Sequence, residues 1–217
     1  MHIDINKPIL DKNNRVAREL RERYKTHKVY VLNILASPGA GKTSTITATI
    51  EALRDTSRIA VIEGDIAGSI DAERIKKLGV RAVQINTGGS CHLESTMVKR
   101  AIDMLNLEEI DLILIENVGN LVCTTDFDLG ESDKAVILSV PEGDDKPIKY
   151  PGIFEAAGVV LLNKCDTMPY FNFDQEAFNE RVHELNHNAS IFPISATKGE
   201  GVKDWVEWLK EEIAQTQ

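Results

Sequence analysis

Cysteine is scarce in this chain: three in 217 residues, at 91, 123 and 165. An odd number of widely spaced thiols excludes a disulfide framework and fits a reducing compartment, so a cytoplasmic location is expected. No apolar run approaches the ~20 residues that a membrane-spanning helix needs. The opening MHIDINKPIL lacks the basic and apolar regions of a secretory signal. A basic surplus is missing too: the net charge is −9, so neither nucleic acid nor a membrane surface is expected as a partner. Internal repeats, low-complexity tracts and an obvious linker are also absent. What remains, 42% hydrophobic and 27% charged, is the composition of one ordinary globular core.

The pattern of apolar residues organises that core. Residues 8–27 read as a helix with a thin stripe of Leu10, Val16, Leu20 and Tyr24. Residues 1–28 are therefore expected to form a helical appendage, and residues 29–217 the functional domain. From Val29 onward, short apolar runs at 29–36, 58–64, 80–86, 110–117, 134–140, 158–164 and 190–195 read as strands. Between most of them lie stretches of helical period, one with Leu93, Met97, Ala101 and Leu105 on a single face. The last helix carries Trp205 as core and Trp208 at its rim. The expected fold is α/β, a doubly wound and mostly parallel sheet with helices on both faces. Cys165 continues an apolar strand and is read as a buried thiol.

ASPGAGKT, residues 36–43, ends the first strand and opens a helix. It follows the phosphate-binding pattern G-x-x-x-x-G-K-[ST], with Ala36 in place of the first glycine. Gly39, Ala40 and Gly41 would let backbone N–H groups face inward, and Lys42, Thr43 and Ser44 open the helix whose N-terminus favours an anion. Lys42 would meet the β- and γ-phosphates, and the Thr43 hydroxyl would serve Mg2+. A tight turn that happens to hold a lysine is the plain alternative, but the motif falls where this fold binds ligands. Asp65 and Glu116 follow two further strands and are candidates for holding Mg2+. Asp71 is a weaker candidate, since it also suits pairing along the next helix. Lys42, Asp65, Asp71 and Glu116 form the candidate catalytic set, with Asp65 and Asp71 the candidates to orient a water.

LLNKCD places Asn163, Lys164 and Asp166 in an N-K-x-D spacing after a strand. An ionised Asp166 can accept both N1–H and N2–H2 of guanine, which adenine does not offer, so GTP and GDP are expected over ATP. The Lys164 stem can lie across the base, and Asn163 can brace the loop. Ser195, Ala196 and Lys198 then fit an S-A-x-K element that presents a backbone N–H to guanine O6.

The loop SPGAGKT, the stretches EGDIAGSIDAERI, TGGSCHL and ENVGNLVC…FDLGE, then EGDDKPIKYPGIF and LLNKCD, resemble the hydrogenase nickel-insertion GTPases of the HypB family. The resemblance covers nearly the whole chain. It implies a SIMIBI-class P-loop GTPase that forms a nucleotide-dependent homodimer and assists nickel delivery to the large-subunit precursor of [NiFe]-hydrogenase. It also implies a HypA-type metallochaperone as partner, and zinc or nickel bound by Cys91, His92 and Cys123 at the dimer interface. The N-terminal cysteine cluster or histidine run of some members has no counterpart in MHIDINKPIL, so their tight nickel binding or storage is not expected. Cys123 is followed by threonine rather than proline, so a less stiff loop is expected. The related urease accessory GTPase is the alternative; its Cys-Pro-His ligand pattern differs from Cys91-His92.

Read from the residues alone, TGGSCHLES makes Ser90 an N-cap, with Cys91 and His92 opening a helix whose N-terminus lowers the thiol pKa. Spacing alone leaves metal binding and a pair of buried thiols with a surface histidine equally open. Three ligands do not close a tetrahedral site, so water or a second subunit must complete it. GTP with Mg2+ held by Asp65 and Glu116 would move the loop at Gly119 and shift Cys123 against Cys91 and His92. The competing classes are a kinase-like nucleotide enzyme with structural thiols and a metal-storage module in which GTP is only structural. Lys146 and Lys149 either reach a nucleotide across the dimer or stay solvated.

Overall fold

The structure is a computed structural model that describes residues 7–65, 75 and 77–217, the side chains of Lys7 and Pro8 excepted. Asp71 lies outside the described residues. The first amphipathic stripe forms α1 (Lys7–His27). Val16, Leu20 and Tyr24 are buried in one apolar cluster with Val31, Ile62 and Ile113 of the sheet. Seven strands follow: β1 (Tyr30–Ala36), β2 (Ile59–Asp65), β3 (Arg81–Asn86), β4 (Leu112–Glu116), β5 (Asp133–Ser139), β6 (Val159–Asn163) and β7 (Ser190–Pro193). They form one sheet in the order β3-β2-β4-β1-β5-β6-β7, with every neighbouring pair parallel. Central strands buried on both faces explain the unbroken apolar runs.

The helices divide between the two faces. α2 (Lys42–Leu53) and α7 (Val202–Thr216) cover one face, where Ile46, Ile50, Trp205 and Leu209 pack on Leu32, Ile34, Leu114 and Ile137. Trp205 is fully buried and its indole N–H donates to Thr49 Oγ1, while Trp208 is partly buried beside it. The other face carries α1 and α3 (Ser95–Ile102) over one half. The short α4 (Lys146–Lys149) and α5 (Pro151–Glu155), with α6 (Gln175–Leu185), lie toward the other half, where Phe154 and Phe178 seat on Val136, Leu138 and Leu162. β1 is central: the chain leaves it toward β2 on one side, and after β4 it crosses to β5 on the other. The carboxyl ends around it form the switch point where open α/β sheets bind ligands.

Three local expectations are corrected. Asp65 and Glu116 are the last residues of β2 and β4 rather than residues beyond them. The helix expected around Cys91 begins only at Ser95, with Glu94 as its N-cap. The Ser90 hydroxyl does not cap it but donates to the His92 carbonyl at 3.1 Å. Cys165 does not continue a strand: β6 ends at Asn163, Lys164 turns left-handed at φ 58, and a 3-10 turn follows with Cys165 half-buried.

Candidate functional site

The loop after β1 is built for close approach. Ala36 ends the strand in extended backbone, so it meets no steric bar in the place of a glycine. Gly39 and Gly41 carry φ values of 80° and 102°, which favour glycine. A β carbon on Gly41 would collide with Asn163 Nδ2. The loop and the start of α2 border a cavity of about 450 Å3 that also takes in Glu63, Asp65, Glu116 and Gly119. Within it, the Thr43 hydroxyl donates to Glu116 Oε1 at 2.9 Å. Thr43, Asp65 and Glu116 are thus brought to one cavity, as a set of oxygen donors suited to a hard cation.

Glu63 lines the same cavity and was missed by the sequence reading. It is 3% exposed and is the register partner of Glu116 across β2 and β4. The signal was an acid inside an otherwise apolar strand. Gly119 approaches closely from the far wall: a β carbon there would lie 3.2 Å from Pro38 and 3.3 Å from the Lys42 ammonium. Ser37 on the loop donates to Glu142, which also accepts from Ser139 at 2.7 Å, so the segment after β5 anchors the phosphate loop.

The N-K-x-D loop lies against the same cradle. Asn163, 2% exposed, donates to the Ala40 carbonyl at 2.9 Å and accepts from Ala196 N at 3.2 Å. Lys164 donates to the Gly39 carbonyl at 2.8 Å. The Ser195 hydroxyl and the Lys198 ammonium, 3.2 Å away, hold the Asp166 carboxyl below its usual range, which keeps it ionised as an acceptor. Lys149 pairs with Asp145 at 2.5 Å, and Lys146 lies 5.5 Å from the Tyr150 ring centroid.

Cys91, His92 and Cys123 lie on the segments that leave β3 and β4. The neighbouring Cys123 thiol is the main cause that raises the Cys91 pKa, with burial second. That reverses the expected lowering, because no helix starts at Cys91. Burial pushes the His92 pKa down and favours the neutral ring. Its Nδ1 lies 3.6 Å from Cys91 Sγ, and its Nε2 is buried with no hydrogen-bond partner among the described residues. Phe127 stacks on the ring at a centroid distance of 3.8 Å. Asn120 Oδ1 holds the Cys123 turn by accepting from Val122 N and Cys123 N, at 2.8 and 3.2 Å. A mostly apolar cavity of about 330 Å3 opens beside His92 and Cys123, bordered by Ile9, Leu10 and Phe127. Two soft donors and a neutral imidazole suit zinc or nickel. Among the described residues, however, no three His, Cys, Asp or Glu side chains form a set able to hold a metal ion within one chain.

A glycine-rich loop between a central parallel strand and a helix, facing acidic strand ends, with an N-K-x-D loop clipped to it, defines a P-loop nucleotide-binding protein. Residues 30–193 match the family model described as CobW/HypB/UreG, nucleotide-binding domain. The hydrogenase maturation factor HypB of Escherichia coli strain K12 is 48% identical over 208 residues, covering 96% of this chain and 72% of its own. A crystal structure of HypB from Helicobacter pylori in complex with nickel has a TM-score of 0.89 at 41% identity, covering 94% of this chain and 96% of that one. The signal recognition particle 54 kDa protein from Aeropyrum pernix, in complex with GDP, shares the fold alone: TM-score 0.61 at 12% identity, over 86% of this chain and 49% of that one. The chain belongs to the CobW/HypB/UreG family, in its HypB branch, and its sheet is of the SIMIBI type.

Proposed function

We propose that this protein is a GTP-hydrolysing accessory factor that handles nickel for [NiFe]-hydrogenase maturation, with nucleotide state setting its hold on the ion. The observation that carries the reading is that His92 and Cys123, two candidate ligands from separate segments, border one cavity, with Cys123 on the loop that leaves the phosphate cavity at Gly119. The resemblance to nickel-bound HypB from Helicobacter pylori supports nickel as the cargo.

In this reading Gly39, Ala40, Gly41 and Ser44 cradle the phosphates by backbone N–H groups at the start of α2, and Lys42 offsets charge on the β- and γ-oxygens. Thr43, Asp65 and Glu116 would hold Mg2+, which when bound supplies further charge neutralisation there. Asp166 selects guanine, Lys164 covers the base, Asn163 braces the loop, and Ser195, Ala196 and Lys198 complete the base pocket. Asp65 and Asp71 stand as candidates to orient the attacking water, Asp71 on the sequence alone. Cys91, His92 and Cys123 provide a partial soft-ligand set, and a second copy of the chain completes it in a homodimer. A HypA-type metallochaperone and the hydrogenase large-subunit precursor are the proposed partners.

The test combines turnover and binding. GTP hydrolysis to GDP and phosphate is expected in wild type, together with nickel binding that Cys91→Ala abolishes while GTP binding persists. Nickel binding of wild-type strength in Cys91→Ala, or no turnover of GTP, would overturn the reading.

A further inference from the structure

Asn117 stands at the first position beyond β4 and is fully buried. Both ends of its amide are engaged. Oδ1 accepts from Val118 N at 2.9 Å and from Leu93 N at 3.2 Å. Nδ2 donates to Asn33 Oδ1 at 3.2 Å, and Asn33 in turn donates to Glu131 Oε1 at 3.1 Å. Val31, Asn33 and Leu35 share one face of β1, where Val31 belongs to the cluster under α1 and α3, and Leu35 to the cluster under α5 and α6. The amide chain therefore occupies the seam between two apolar clusters, where a polar group left unpaired is heavily penalised.

The two N–H groups that share Oδ1 belong to different working parts. Val118 precedes Gly119 in the wall of the phosphate cavity, against Pro38 and Lys42. Leu93 directly follows His92. Its side chain also presses on β2 beside Asp65, since a β carbon on Gly64 would lie 2.8 Å from Leu93 Cδ1. A shift of Val118 obliges Oδ1 to follow it, and Leu93 either moves with Oδ1 or loses its acceptor in a dry seam.

We infer that Asn117 is a positioning residue that keeps the Cys91–His92 segment in register with the Val118–Gly119 loop. Nucleotide state then reaches His92 through this amide, by a route separate from the chain path that leads from Gly119 to Cys123. The inference rests on the proposed link between nucleotide and nickel. It adds that both ligand-bearing segments are moved, not the Cys123 segment alone.

The experiment compares nickel affinity in the GDP form and in the form loaded with a non-hydrolysable GTP analogue, for wild type, Asn117→Ala and Asn33→Ala. The readout is the ratio of the two affinities. Asn117→Ala is expected to shrink the wild-type ratio by at least ~3-fold toward one. Asn33→Ala removes bonds from the same seam but leaves the Oδ1 bridge, so it is expected to lower stability and keep the ratio. Hydrogen exchange at the Leu93 amide in wild type is a second readout that needs no variant to fold, and its protection is expected to differ between the two nucleotide forms. A full wild-type ratio in Asn117→Ala, or Leu93 protection indifferent to nucleotide while the wild-type ratio departs from one, overturns the inference alone. A wild-type ratio of one overturns the underlying reading as well.

Discussion

Asn163 donates its side-chain amide to the carbonyl of Ala40 at 2.9 Å, tying the strand end that precedes the N-K-x-D loop to the glycine turn after β1. The same amide accepts from Ala196 N, so three sequence-distant loops meet on one buried side chain. Asn163→Ala would orphan the buried Ala40 carbonyl and the part-buried Ala196 N–H, at a cost of about 1–3 kcal/mol. At this chain length each kcal/mol is expected to lower Tm by about 2–4 °C. Thermal unfolding is expected to show that loss, with GDP affinity weakened at the same time; an unchanged Tm would mean that the clip is not a structural tie.

Asp166 is held ionised by Ser195 and Lys198. Asp166→Asn exchanges one acceptor for a donor, which should mispair with the 2-amino group of guanine while matching the C2 carbonyl that xanthine presents. Competition binding is expected to move preference from GTP toward xanthosine triphosphate. Retained preference for GTP would contradict the assignment of the base pocket.

Leu93 fills the space where a side chain on Gly64 would sit. Gly64→Ala forces the Leu93 side chain aside, an overpacking change worth about 1–3 kcal/mol. Because Leu93 follows His92, the variant is expected to lose nickel affinity along with stability, read by denaturant unfolding and by nickel titration of the same preparation. Loss of stability with nickel binding intact would separate the two.

Arg58 grips Asp111 through its side chain at 3.0 and 2.6 Å and through its backbone N–H at 2.8 Å, away from the nucleotide site. The guanidinium holds the Asp111 carboxyl below its ordinary value of 3.8. A depressed folded-state pKa contributes stability that is complete above the ordinary value and is lost as pH falls through the depressed one. Asp111→Asn should therefore lower the urea midpoint near neutral pH, and the gap to wild type should close as the solution is acidified below 3.8. A gap that stays constant with pH would show that ionisation of Asp111 is not the cause.

The turn after β1 and the loop after β6 were legible in the sequence because each depends on residue types at fixed spacing beside an apolar strand, as SPGAGKT beside β1 and NKCD beside β6. The start of α3 was not. Ser90 has the chemistry of an N-cap, yet the helix begins at Ser95, whose N–H and hydroxyl are taken by Asn13 of α1 at 2.8 Å each. A cap supplied by a residue so distant in sequence leaves no local signature. The expected lowering of the Cys91 pKa failed for the same reason, and the nearby Cys123 thiol then set the direction. Asn117 was equally hidden, since its partner on the thiol side is a backbone N–H, which every residue but proline has. Asn33 did leave a trace, a lone amide in the apolar strand YVLNILA, but not its partner.

The central claim is that the nucleotide cavity and the Cys91, His92 and Cys123 cluster are thermodynamically linked. Nickel affinity of the wild-type protein, measured with GDP bound and with a non-hydrolysable GTP analogue bound, tests it directly. The account predicts two different affinities, with nickel changing the relative affinity for the two nucleotides by the same factor. Identical nickel affinities in the two forms would contradict it.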